Sequence, residues 1–106
     1  MAYVQQLENK NQFVIFSKDG DEIITTFQSY DSVCAVVTTK NNVDFLTLGL
    51  HWDYSKTTLK HLYLFLYQYC YDVYEQIENS TNKRKAIQKM IDNGDIKYEE
   101  GLKWKS

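Results

Sequence analysis

Between Phe13 and Leu50 the apolar positions come in short runs of β-forming residues separated by turn signals, and after Leu50 they recur at helical spacing. Phe13-Val14-Ile15-Phe16 is the first run, and Asp19-Gly20 after it is a hairpin signal. Glu22 to Gln28 reads as the returning strand, and Ser29-Tyr30-Asp31 as a loop. Val33 to Thr39 is the clearest strand. Val33, Ala35 and Val37 fall on one face and Cys34, Val36 and Thr38 on the other, so both faces are largely apolar and a central place in the sheet is expected. Lys40-Asn41-Asn42 turns the chain and Val43 to Leu48 returns it. Four antiparallel strands within residues 12–49 are expected.

Asp53 and Ser55 are candidate N-caps, and residues 57–79 read as one long helix. Leu59, Leu62, Leu66, Val73 and Ile77, with Tyr63 and Cys70, form its apolar stripe. Ser80-Thr81-Asn82 breaks the chain. Residues 83–93 read as a short helix with Ala86, Ile87, Met90 and Ile91 inward and Gly94 as its C-terminal stop. Residues 95–106 are expected as a short strand or an extended tail. The expected fold is α+β: a four-stranded antiparallel meander, then a long and a short helix packed on one face. A length of 106 residues suits a single domain, 1–106.

Composition changes this picture in two places. Aromatic residues reach 15%, nine of them Tyr, in a chain without proline. The net charge is only −2, but it is uneven: residues 1–54 carry three Lys against seven acidic residues, and residues 55–106 carry nine Lys/Arg against seven. Any anion-binding surface is therefore expected in the second half. Cys34 and Cys70, both in apolar surroundings, read as buried free thiols of a reducing compartment. The first twelve residues lack the apolar core of a signal peptide, and no stretch is apolar for long enough to span a bilayer, so a cytoplasmic protein without membrane contact is expected.

Tyr67, Tyr71 and Tyr74, following Tyr63 at helical intervals, lie to the side of the leucine stripe. Together they widen the apolar arc beyond what one small sheet covers. They are the first candidates for partner binding or a homodimer seam. Lys83, Arg84, Lys85 and Lys89 form a basic cluster at the start of the second helix, where positive charge opposes the helix dipole; an acidic partner or phosphates would suit it. Lys56, Thr57 and Thr58 could hold an anion at the start of the long helix, although capping alone explains the Trp52–Thr58 block. No glycine-rich phosphate loop accompanies it. His51, Asp53 and His61 match no zinc spacing, and Ser55 lacks the surroundings of a nucleophile, so no cofactor, metal or catalytic residue is expected.

Ser29-Tyr30-Asp31-Ser32-Val33-Cys34-Ala35, Trp52-Asp53-Tyr54-Ser55-Lys56-Thr57-Thr58-Leu59-Lys60, Phe65-Leu66 and Ile91-Asp92-Asn93-Gly94-Asp95-Ile96-Lys97 together resemble a family of small uncharacterised proteins encoded by phages and prophages of Gram-positive bacteria. The Trp52–Lys60 block is the specific one. This chain departs from the family pattern in a longer, Tyr-rich first helix and a polar, basic linker over residues 79–85. The resemblance implies a phage or mobile-element origin and the cytoplasm of a bacterial host, and carries no activity. By analogy with small phage proteins, the expected function is non-enzymatic binding that inhibits a host protein, such as a defence nuclease, CRISPR effectors included. The alternative is a small nucleic-acid-binding regulator, against which stand the acidic net charge and the lack of a DNA-binding motif.

Overall fold

In the computed structural model, which describes residues 2–6 and 11–103, the alternating half of the chain becomes a run of antiparallel strands. β1 (Ala2–Gln6), β2 (Gln12–Asp19), β3 (Glu22–Ser29), β4 (Ser32–Lys40) and β5 (Val43–Leu48) pair in chain order. Gly20 supplies positive φ at the first tight turn. Asn41 and Asn42 both take positive φ, the backbone of a hairpin turn that matches strand twist. Tyr30 also sits at φ 55, uncommon for a bulky side chain. Its amide donates to the Asn11 carbonyl and its carbonyl accepts from the Gln28 side chain, which hold the turn.

The helical half divides into α1 (Lys56–Tyr69), α2 (Tyr71–Ile77) and α3 (Lys83–Asp92). Gly94, at φ 82, then turns the chain so that Ile96 is buried and β6 (Lys97–Tyr98) runs beside β5. Residues 104–106 of the expected tail lie outside the described residues.

The expected architecture is overturned on two counts. The sheet is mixed and six-stranded, not a four-stranded antiparallel meander: β1 extends one edge, and β6 lies parallel to β5 at the other. A crossover through three helices delivers β6 in that direction. The expected long helix is also broken, because Cys70 leaves helical geometry at φ −148, ψ 62. Tyr69 to Tyr74 reads Tyr-Cys-Tyr-Asp-Val-Tyr, six consecutive residues of low helix propensity, so the break falls where the helix is weakest.

One row across the sheet, Val14, Phe27, Ala35 and Leu48, joins Leu62, Phe65 and Leu66 of α1, Val73 and Ile77 of α2, and Ile87 of α3 in one core. The neighbouring row, Ile15, Thr26 and Val36, lies on the opposite face and is also buried. A bulge between Phe27 and Gln28 shifts the β3–β4 register, and Cys34 falls within that shift and is buried in the core.

Cys34 and Cys70 are free and buried. Burial pushes each thiol from 9.0 up to about 11; a backbone hydrogen bond, at Ser29 for Cys34 and at Val73 for Cys70, partly opposes this. A two-unit rise leaves about one hundredth of the usual thiolate. Alkylation of the native protein at pH 8 is therefore expected to run at least about 100-fold slower than in 8 M urea, read by mass spectrometry. Native labelling as fast as in urea would contradict the burial. The linkage has the same sign for both groups: their contribution to stability is intact below pH 9 and is lost as pH rises from 9 to about 11.

Candidate functional site

The break at Cys70 assembles the aromatic face. An unbroken helix separates residues seven apart by about 10 Å along its axis. Tyr67, in α1, and Tyr74, in α2, have ring centroids 5.2 Å apart. Tyr71 closes the triangle at 5.8 Å from Tyr67 and 5.9 Å from Tyr74. Tyr67 meets the other two edge to face, an arrangement that ring quadrupoles favour. Tyr74 is half-buried against the core, whereas Tyr67 and Tyr71 are 55% and 47% exposed. Leu64, one turn before Tyr67, is 47% exposed as well. The core side of α1 is filled by Leu62, Phe65 and Leu66, and Tyr69 packs on Phe16 and Phe65.

The face has an acidic end. Asp72, Glu75 and Glu78 follow in and just after α2, which carries no basic residue. Glu78 above all, with desolvation and then Glu75, raises the Tyr71 phenol above its usual range.

The basic cluster is divided. Arg84 stays 48% exposed but is engaged within the chain: its Nε donates to Asp53 Oδ2 at 2.8 Å, its terminal nitrogen lies 2.7 Å from the same oxygen, and its guanidinium stands 5.8 Å over the buried Trp52 ring. It thereby pins α3 to the loop before α1. Lys85 and Lys89, one turn apart, are exposed, and Lys83 is half-buried. The Asn82 side chain caps α3 by accepting from the Lys85 amide.

Lys56, Thr57 and Thr58 occupy the first turn of α1. Thr58 is fully buried; its amide donates to Ser55 Oγ at 3.1 Å, and its hydroxyl bonds both Ser55 and Ser29. This hydroxyl chain ties the helix start to the end of β3. The Thr57 carbonyl is paired with His61 Nδ1 at 2.9 Å, and Lys56 is the one exposed member of the three. Among the described residues, no group of three His, Cys, Asp or Glu could hold a metal ion. No helix among them is long and apolar enough to cross a membrane.

A cleft of about 530 Å³ lies beside the β3–β4 turn, bounded by Tyr30, Asp31, Ser32, Cys34, His51 and Tyr54. Tyr54 packs edge to face on both His51 and Tyr30. Sequence reasoning did not assemble it, because the Ser29–Ser32 turn and residues 51–54 lie some twenty positions apart. The only sequence signal was Tyr at a tight turn, a position that favours Gly, Asn or Asp.

Residues 1–92 match the model of a family of unknown function (DUF8033). No curated protein and no solved structure matches the chain.

Proposed function

The chain belongs to that family, and we propose that it is a non-enzymatic binding protein that engages a partner protein through the Leu64–Tyr67–Tyr71–Tyr74 face. The observation that carries this reading is the exposure of Tyr67 of α1 and Tyr71 of α2 in one preassembled ring cluster. Tyrosine tolerates water before binding and contributes large contact area at low entropic cost. We take the chain to be of phage or prophage origin, as its resemblance to such proteins implies, and on that reading the partner is a host protein. A defence nuclease, CRISPR effectors included, is the target class to test first, and inhibition is the expected outcome of binding. Arg84, although exposed, is engaged with Asp53 and Trp52, which neutralises one cation of the cluster and weakens the nucleic-acid alternative.

The test is a pull-down of tagged protein from host lysate, with and without nuclease, beside the Tyr67→Ala/Tyr71→Ala variant. A stoichiometric protein partner is expected to survive nuclease and to be lost with the variant. The variant's folding stability should change by less than about 1 kcal/mol, since both rings are half exposed. Recovery of nucleic acid alone, equal for both proteins, would replace this reading with the nucleic-acid regulator.

A further inference from the structure

We infer that the Tyr67–Tyr71–Tyr74 face receives arginine or lysine side chains from a basic protein surface, with Glu75 and Glu78 as their counter-charges. The inference rests on the protein-binding reading above and gives its partner a chemistry.

Ring geometry supplies the first argument. Tyr67 stands edge-on to both neighbours, at 70° and 75°, so the three rings cannot close on one another face to face. Tyr67 and Tyr71 stay half exposed, with π surface free for a cation. Leu64 adds apolar surface for the alkyl stem behind a charged head.

Charge supplies the second. Glu75 lies one turn beyond Tyr71, and Glu78 one turn beyond Tyr74. Both carboxylates act on the Tyr71 phenol, so they border the rings rather than the far side of α2. An aromatic face with a carboxylate at its edge matches a guanidinium, which stacks on the ring and pairs with the acid at once.

The same charges weigh against nucleic acid as the occupant. Nucleic acid would bring phosphates to the same carboxylates. A basic protein surface turns that repulsion into attraction.

The experiment uses a short arginine-rich peptide, a glutamate-rich control and a single-stranded oligonucleotide. Each is titrated at physiological ionic strength while the ring signals of Tyr67, Tyr71 and Tyr74 are followed by NMR. The arginine peptide is expected to shift these signals saturably, and the other two to leave them in place. Glu75→Gln/Glu78→Gln should weaken the peptide about tenfold. Asp19→Asn/Asp21→Asn, the same charge change at an exposed hairpin turn, should leave the affinity unchanged. Absence of a saturable shift, equal weakening by both double variants, or a shift by the oligonucleotide would overturn the inference. A captured protein lost with Tyr67→Ala/Tyr71→Ala but retained with Glu75→Gln/Glu78→Gln would overturn it while leaving the protein-binding reading in place. Peptide binding without any captured protein would support the inference and count against that reading.

Discussion

Phe65→Ala is expected to cost about 3–5 kcal/mol of folding stability, the range for deleting a large aromatic from a packed interior. Phe65 is 1% exposed and stacks on Phe27, with centroids 5.6 Å apart and planes 29° apart. Phe27 is fully buried at the middle of the sheet, between Val14 of β2 and Ala35 of β4. The pair is therefore a direct contact between α1 and the middle of the sheet. Its loss leaves a cavity that neither surface closes without moving the other. Tyr69, 5.3 Å from Phe65, would lose its support as well. Domains of this size hold only about 5–15 kcal/mol in total, so the variant should sit near the threshold of folding. Phe65→Leu keeps part of the buried area and should cost less than half as much. Urea titrations followed by far-ultraviolet circular dichroism measure both. A cost below about 1 kcal/mol for Phe65→Ala would show that α1 is held by other contacts.

That expectation sets Phe65 apart from Tyr67, two residues along the same helix. The expected stripe of Leu59, Leu62 and Leu66 left Tyr67 and Tyr71 to its side but did not include Phe65, which the structure buries beside Leu62 and Leu66. Strands β2 to β5 were legible because their turns carry residues that tolerate positive φ, Gly20 and Asn41-Asn42, and β4 is apolar on both faces, as its central position requires. β1 was not legible, and β6 was legible only as the short strand that was one of two readings of residues 95–106, without its parallel pairing to β5. β6 is two residues long and exists because Gly94 redirects the chain toward the free edge of β5, a tertiary event without periodicity. The break at Cys70 carries neither proline nor glycine, and the apolar stripe keeps its phase through it, so pattern reading ran straight across.

The candidate site divides in the same way. Helical spacing grouped the three tyrosines but could not show that the break folds Tyr74 back onto Tyr67. Adjacency in sequence grouped Lys83, Arg84 and Lys85, and the fold separates them by turning Arg84 to Asp53, thirty-one residues away. Local charge runs are visible in a sequence; the partner that consumes one of the charges is not.

Gly49→Ala is the second substitution expected to be severe, at about 2–3 kcal/mol, within the range for overpacking an interior. Gly49 follows β5, and positive φ is not what requires glycine there. Its amide donates to the Cys34 carbonyl at 2.9 Å and its carbonyl accepts from the Trp52 amide at 3.1 Å, so the backbone is held from both sides. A Cβ at this position would stand 2.6 Å from the Val33 carbonyl oxygen and 3.2 Å from Leu102 Cβ. The closer atom is backbone of the central strand and cannot rotate away. Relief must come from moving the chain after β5, which carries Trp52 and Asp53, the two residues that hold Arg84, and His51, a wall of the cleft. Gly101→Ala is the matched control, because its Cβ would meet nothing within 4 Å, and it should stay within about 0.5 kcal/mol of the parent. Urea midpoints of the two variants decide the point: equal midpoints would mean that the β5–α1 connection yields freely. A large gap would show that close packing of Gly49 on β4 fixes where α1 begins, and with it the direction in which α1 carries Tyr67 to the surface.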